Sequence, residues 1–336
     1  MKHILLTGAA GSVGYETLKQ LIYKKQYDIT VLELPTKKSK KRLKVFENQI
    51  HIYYGSINDQ QLVEQAIKGI DTVIHLAAII PPLADTNPEL TRKVNFYGTK
   101  VLLETLKKEN PNGFFIYSSS VSIYGDRIEQ PWIKVGDPLS PSEGDYYALT
   151  KIETEKLIKE MNIPYTIFRL TGIMGHPAID PLMFHMPLDT KLEIASTIDT
   201  GLAFANAVEH EKELSGQIFN LGGGELCRTT YRDFLIHMFK IYGLNFKYLK
   251  DVAFAEKNFH CGYFLDGDKL NDILHFRQDT LDTYYARVKS ETKGIIRFFS
   301  KMFSRPIIYF LSKKSEPLQA KKKNNQTLLE RFFKKK

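Results

Sequence analysis

The chain has 336 residues, 43% hydrophobic and 25% charged, a length of about two domains and a composition that excludes disordered, collagen-like and polytopic membrane chains. Its only cysteines, Cys227 and Cys261, form no Cys-x-x-Cys pair, which excludes metal ribbons and disulfide scaffolds, predicts no metal site and suits a reducing compartment. The net charge of +9 is uneven: residues 293–336 hold 13 Lys and Arg against 2 Asp and Glu, a net +11, on a body of −2, so the fold itself lacks the basic surface that nucleic-acid binding requires.

Residues 3–7 read as a short buried strand, and 12–24 as a helix with Val13, Leu18, Leu21 and Ile22 on its apolar side. Because Ile4-Leu5-Leu6 leads directly into a glycine motif, no cleavable leader is expected, and a cytoplasmic start follows. Further strands are predicted at 29–34, 50–54, 71–76, 114–117 and 165–170, most of them separated by helices near 59–68, 88–109 and 146–161. Pro111, Asn112 and Gly113 stop the long helix. Parallel neighbours need a helical crossover, so this alternation predicts an α/β fold with a Rossmann-type doubly wound parallel sheet.

Beyond 170 the alternation becomes irregular, with a Pro-punctuated loop at 176–187, a helix near 199–210, a strand at 217–221 and a helix near 231–242. The expected division is a cofactor-binding domain over 1–170, a smaller C-terminal substrate lobe over 171–292 and a basic amphipathic tail over 293–336.

Thr7-Gly8-Ala9-Ala10-Gly11-Ser12-Val13-Gly14 sets glycines at G-x-x-G-x-x-G between the first strand and the first helix. Gly8 permits the tight turn, Gly11 lets backbone approach a pyrophosphate, and Gly14 lets helix pack on strand, while the N–H groups opening the helix supply donors and positive dipole. Glu33, 19 residues after Gly14, ends the second strand, where a carboxylate accepts hydrogen bonds from an adenosine ribose; that favours NAD over NADP. Lys37, Lys38, Lys40, Lys41 and Arg42 follow closely enough to rescue NADP, although the plainer expectation is a solvated loop.

Tyr147-Ala148-Leu149-Thr150-Lys151 puts a phenol and an ammonium four residues apart, on one face of the predicted 146–161 helix. A phenol with pKa near ~10 is a poor proton carrier at neutral pH, and an adjacent cation is expected to lower that value. With Ser118-Ser119-Ser120 ending the fifth strand, the pair becomes a hydroxyl, phenol and ammonium relay.

These motifs resemble the extended short-chain dehydrogenase/reductase family, in its NAD-dependent epimerase/dehydratase group, over about 1–290. The likeness also rests on His75-Leu76-Ala77-Ala78, on Asn95 with Gly98-Thr99, on Ser120-Val121-Ser122-Ile123-Tyr124-Gly125, on Arg169, on Asp199 and on Phe219-Asn220-Leu221-Gly222-Gly223-Gly224. The resemblance implies Tyr147 as acid/base, Lys151 binding the ribose and tuning Tyr147, and Ser120 bonding the substrate oxygen. It further implies cofactor contacts from Gly8, Gly11, Ser12, Val13, Gly14, Glu33, Ser56, Ile57, Leu76, Ala77, Ala78, Asn95, Ser118, Tyr147 and Lys151. For His75, Asn95 and Asn220, the residues alone favour structural roles: a satisfied core imidazole, a tie between helix and strand, and a strand-to-loop turn.

Departures from the family pattern narrow the chemistry. Val121 and Ser122 follow Ser120 where sugar 4,6-dehydratases carry Asp and Glu, which argues against dehydration. Ser56 stands where an Asp usually contacts adenine, Gly172 where nucleotide-sugar epimerases carry Asn, and Leu192 beside Lys191 where an Arg grips a diphosphate. Together with a short stretch before Asp199, these weaken the case for a whole nucleotide-sugar.

In the tail, Ile295, Phe298, Phe299 and Met302 recur at helical spacing opposite Arg297, Lys301 and Arg305, with Pro306 expected to interrupt the helix. Phe303, Ile307, Ile308, Phe310 and Leu311 add apolar surface, and Leu328, Leu329, Phe332 and Phe333 repeat the pattern beside the terminal lysines. Such a segment suits an anionic membrane at the inner face of the cell envelope, or docking on the body or on a second subunit of a homodimer. Every candidate catalytic residue precedes 152, so tail and catalysis read as separable.

The expected protein is thus an NAD-dependent epimerase or dehydrogenase acting on a secondary alcohol or ketone of a small molecule, a sugar or nucleotide-sugar. A ketone reductase for an apolar or lipid-linked substrate and a non-catalytic NAD-binding scaffold are the rival readings.

Overall fold

The computed structural model describes residues 1–175 and 181–334, so the 176–180 part of the expected loop lies outside the described residues. The chain runs β1 (Lys2–Thr7), α1 (Ser12–Lys24), β2 (Tyr27–Glu33), α2 (Lys37–Leu43), β3 (His51–Tyr54), α3 (Gln60–Ile67) and β4 (Thr72–His75). It continues through α4 (Leu83–Thr86), α5 (Pro88–Arg92), α6 (Thr99–Glu109), β5 (Phe114–Ser120), β6 (Trp132–Ile133), α7 (Tyr146–Glu160) and β7 (Tyr165–Leu170). The expected single helix at 88–109 is divided by a π-helical turn over Lys93–Gly98. There the Asn95 carbonyl accepts from the hydroxyls of Thr99, at 2.6 Å, and Thr154, at 3.3 Å, two side-chain donors that help hold the widened turn.

Then follow β8 (Gly172–Met174), β9 (Lys191–Ser196), α8 (Thr197–Ala207), α9 (Glu211–Leu214), β10 (Gln217–Leu221), β11 (Arg228–Thr230), α10 (Tyr231–Ile241), β12 (Tyr263–Phe264), α11 (Asp268–Leu274) and α12 (Leu281–Glu291). The main sheet has seven parallel strands in the order β10-β7-β5-β4-β1-β2-β3. Ile4, Leu5 and Leu6 of β1 are fully buried, as a strand covered on both faces requires. One face packs Leu18, Leu21, Ala203 and Phe204 from α1 and α8; the other packs Val63, Ala66, Leu102 and Leu106 from α3 and α6. The chain returns to this sheet after 170, because β10 covers the edge β7 would otherwise expose. The order reverses between β1 and β4, and at that crevice the β1–α1 loop and the ends of β4 and β5 meet.

A three-stranded sheet, β11-β9-β8, and the short β12-β6 pair stand beyond the carboxyl edge. Their core gathers Phe184, Leu192, Ile194, Phe234, Met238, Phe239, Tyr284 and Val288.

The tail folds into α13 (Gly294–Met302), α14 (Ser304–Ser312), α15 (Glu316–Lys323) and α16 (Gln326–Phe332). The expected interruption falls at Phe303, one turn ahead of Pro306, which cannot bond the Met302 carbonyl and takes its place in the first turn of α14, where its missing N–H has no partner to lose. Ile308 and Leu311 enter the lobe core, while Phe332 and Phe333 pack with Ala255, so the second apolar cluster is docked on the body. Ser315 donates to the Ala253 carbonyl at 2.5 Å and caps α15, fixing the approach. Among the described residues no helix is long and apolar enough to cross a membrane.

Candidate active site

The glycine loop leaves the end of β1 in a form only glycine tolerates. Gly8 has φ +72°, and a Cβ there would lie 2.7 Å from the Ala77 nitrogen; a Cβ at Gly14 would lie 2.1 Å from the Gly8 carbonyl oxygen. The Gly11 N–H donates to that carbonyl at 2.9 Å, and the first intrahelical bond runs from Tyr15 N–H to Gly11, ahead of which stand the N–H groups of Ser12, Val13 and Gly14. Across the crevice Thr7 receives the Leu76 N–H at its carbonyl (3.3 Å) and the Ala77 N–H at its hydroxyl (3.2 Å); Ala78 follows, half-buried. This cradle fits the pyrophosphate of a dinucleotide.

Glu33 ends β2 beside the loop, accepting the Ala10 N–H at 2.9 Å and the Leu34 N–H at 3.2 Å. Burial pushes its carboxyl up, and those two bonds pull it back. The lysine run is not a loop: it forms α2, capped by Thr36 accepting from Ser39 N–H at 3.0 Å. From it Arg42 donates to the Ala10 carbonyl at 3.1 Å and lies 4.1 Å from the Tyr15 ring centre. The Ala10 peptide is thereby gripped by Glu33 on its N–H and by Arg42 on its oxygen. Ser56 turns its oxygen to the Asn58 N–H at 3.1 Å, and Ile57 is buried in the sheet's second core.

Tyr147 and Lys151 share one face of α7, against Ser118 and Ser120 at the end of β5. Lys151 is 2% exposed and donates to the Ser118 carbonyl at 2.5 Å; its nitrogen is 5.4 Å from the Tyr147 ring centre and 4.6 Å from that of Tyr117. Burial lowers its pKa to about 7, against the pull of Glu155. Ser120, on the strand facing Tyr147, receives the Ser122 N–H at 3.1 Å. The expected lowering of the phenol by Lys151 is not found. Burial and the Asp145 carboxylate push Tyr147 up, and only the Ser120 hydroxyl works the other way. The lysine's charge is spent instead on the Ser118 carbonyl and the Tyr117 face.

Asn95 and His75 support the site from behind. Asn95 clasps the Ile79 backbone at 2.8 and 2.9 Å and reaches Thr150 at 3.3 Å. His75 is buried with both ring nitrogens on hydroxyls, Thr7 at 2.6 Å and Thr99 at 2.8 Å, and burial lowers its pKa to about 3, so it is neutral.

Sequence reasoning missed a buried polar chain on the other side of Lys151. Glu155 takes Arg169 at two points, 3.0 and 2.7 Å, and the Ser119 hydroxyl at 2.6 Å; Arg169 reaches the Tyr124 hydroxyl at 2.7 Å, and Tyr124 donates to Asn220 at 2.9 Å. The spacing of Glu155, four residues beyond Lys151, carried that signal.

Also unforeseen is the mouth of the site. Asp145 caps α7 through the Ala148 N–H at 2.8 Å and meets His260 at 3.3 Å. Arg331 of α16 stands over this turn: a Cβ at Gly144 would sit 3.7 Å from its guanidinium, whose charge holds the Asp85 carboxyl down against burial and Asp145. The tail and the candidate catalytic turn therefore approach one another, a proximity that the sequence reading does not anticipate.

The chain belongs to the NAD dependent epimerase/dehydratase family, whose profile matches residues 4–186. NAD, the cofactor in that description, is the one the Gly8–Gly14 loop and Glu33 predict. Human "Sterol-4-alpha-carboxylate 3-dehydrogenase, decarboxylating" is 30% identical over 184 residues, 54% of this chain and 45% of that protein. The "N-acetyl-alpha-D-glucosaminyl-diphospho-ditrans,octacis-undecaprenol 4-epimerase" of Escherichia coli O157:H7 is 30% identical over 185 residues, 52% of this chain and 49% of that protein. The matched segment thus spans about half the length of these relatives. The fold is that of UDP-glucose 4-epimerase from Bifidobacterium longum, solved in complex with NAD+ and UDP, with a TM-score of 0.70 at 20% identity, covering 88% of this chain and 100% of that one.

Proposed function

We propose that the protein is an NAD-dependent oxidoreductase or epimerase of a secondary alcohol, with Tyr147 as the proton carrier. The observation that carries this is the buried Lys151, 5.4 Å from the Tyr147 ring centre and bound to the Ser118 carbonyl at the end of β5, which sets the phenol against the strand that bears Ser120. Ser120 positions the carbinol oxygen, and Tyr147 takes the proton from that oxygen or returns it. Lys151 holds the Tyr147 face of α7 against β5 through the Ser118 carbonyl. NAD, when bound on the glycine cradle, supplies the two-electron acceptor for the carbinol hydrogen. If the ketone stays bound and is reduced on its other face, the net reaction is epimerisation; if it leaves, dehydrogenation.

An apolar substrate that carries no diphosphate is favoured over a whole nucleotide-sugar by one observation. Where a diphosphate-gripping arginine is expected, Leu192 is fully buried, and the Arg228 that pairs with β9 is bound to buried Glu193 at 2.9 Å. A relative named for a sterol substrate supports the same reading. The test is to purify the protein, identify retained cofactor by mass and absorbance, and assay a sterol-type alcohol, a polyprenyl-diphospho-sugar and a free nucleotide-sugar. Turnover of only the diphosphate-bearing substrates would overturn the apolar reading; loss of no activity in Tyr147→Phe would overturn the mechanism.

A further inference from the structure

The structure separates the tail's two apolar clusters. Residues 328–333 are docked on the body, but the cluster on α13 and α14 is not. Helix α13 buries none of its residues: Ile295 is 64% exposed, Phe298 65% and Met302 56%, with Ile296, Phe299 and Phe303 also open to solvent. The next helix shows Tyr309 and Phe310 outward while its opposite side, Ile308 and Leu311, holds it to the lobe. Ser304 anchors the junction by accepting the Asn245 N–H at 2.8 Å, and Arg305 lies 5.0 Å from the Tyr248 ring centre. The result is a firmly mounted two-helix platform carrying eight exposed large apolar side chains, too many for an ordinary soluble surface.

Its charge says what covers it. Between 293 and 315 there are six Lys or Arg and no Asp or Glu. Lys313 bends over the rings of Tyr309 and Phe310, at 4.5 and 5.3 Å from their centres, so cations rim the apolar face. A second copy meeting this face about a twofold axis would bring cations against cations. An anionic bilayer offers apolar depth for the rings and phosphates for the rim. We propose that α13 and α14 form an interfacial docking surface for an anionic lipid membrane, which holds the body at the bilayer without crossing it.

The full-length protein is mixed with vesicles of pure phosphatidylcholine or of phosphatidylcholine with phosphatidylglycerol, and sedimented at 0.1 M and 0.5 M NaCl. Most of the protein should pellet with the anionic vesicles at low salt, with at least a tenfold weaker partition at high salt or on neutral vesicles. Phe298→Ser with Phe299→Ser should weaken low-salt binding at least tenfold while leaving the melting temperature and NAD binding unchanged, since neither ring is buried. Arg297→Glu with Lys301→Glu should do the same through charge. Equal binding by the serine variant, no pelleting by the unmutated chain, or a dimer that the serine variant splits would overturn the proposal. NAD binding and turnover are measured on the same samples without vesicles, so failure here is distinct from failure of the catalytic reading.

Discussion

Lys151 on α7 reaches the carbonyl oxygen of Ser118 on β5 at 2.5 Å, so the helix that carries the candidate acid/base is tied to the strand that carries its hydroxyl partner. That tie sets Tyr147 and Ser120 on facing elements. Tyr147→Phe deletes one hydroxyl and little volume, and should cut turnover by about a hundred- to ten-thousand-fold while the NAD dissociation constant stays within about twofold. Steady-state rates and an NAD titration on the same preparation check this.

The burial of Lys151 also sets a pH dependence. Its folded pKa is about 7 and its ordinary value 10.5. Between those values the unfolded chain binds the proton and the folded chain does not, so this group makes stability rise as pH increases from about 7 towards 10.5. The cost of burying the charge is felt in full below pH 7. Lys151→Met should abolish turnover and flatten that part of the profile, gaining more stability over the native chain at pH 6 than at pH 10. Urea unfolding midpoints at the two pH values decide it; equal gains would mean that Lys151 is not desolvated as the structure has it.

Much of this site was legible because it is local. The glycine spacing, the Tyr-x-x-x-Lys pair and Glu33 each depend on residues close in sequence, and strands buried on both faces announce themselves as apolar runs such as Ile4-Leu5-Leu6. What was hidden depends on distant partners. The lysine run is a helix because Thr36 caps it and Arg42 finds the Ala10 carbonyl 32 residues away. Leu328 to Phe333 looks like a second membrane-binding stripe until Ala255 is brought against it. The sign of the Tyr147 shift likewise turned on burial and on Asp145, neither of which a four-residue spacing can report.

Cofactor choice rests on the Ala10 peptide. Glu33 is already oriented by its N–H, so an adenosine ribose meets a placed acceptor and a 2′-phosphate meets a negative charge. NAD should bind at least about tenfold more tightly than NADP, and Glu33→Ala should narrow the gap by roughly the same factor. Because Arg42 is engaged with Ala10 and Tyr15, Arg42→Ala should loosen both cofactors alike. Tighter NADP binding by the native chain would show that the α2 lysines dominate.

The Arg169–Glu155 pair is a structural keystone. Arg169 is 4% exposed and Glu155 1%, joined at two points, so removing one partner strands a buried charge. Glu155→Ala should destabilise the fold by about 3–5 kcal/mol. Joint replacement, Glu155→Met with Arg169→Met, should cost less than Glu155→Ala alone. Chemical denaturation of the three proteins measures this, and a double variant worse than the single would mean that Tyr124 and Ser119 depend on the pair for their own partners.

The approach of Arg331 on α16 to Gly144, just ahead of α7, predicts that the tail's end influences activity. Burying Phe332 and Phe333 contributes roughly 1.5–3 kcal/mol each, enough to keep α16 docked most of the time. Docked, it holds Arg331 where its charge pulls the Asp85 carboxyl down, against the burial and the Asp145 charge that together raise it. Arg331→Ala should therefore lower kcat/KM severalfold and raise the pH at which activity is lost on acidification, because Asp85 then takes its proton more readily. Phe332→Ala with Phe333→Ala should reproduce the loss by undocking the helix, whereas Phe298→Ser with Phe299→Ser should leave the rate on a water-soluble substrate unchanged. Full pH–rate profiles of the three variants, with circular dichroism to confirm that the body is folded, separate these effects. Native profiles for Arg331→Ala and for the Phe332/Phe333 pair would detach the tail from the catalytic turn.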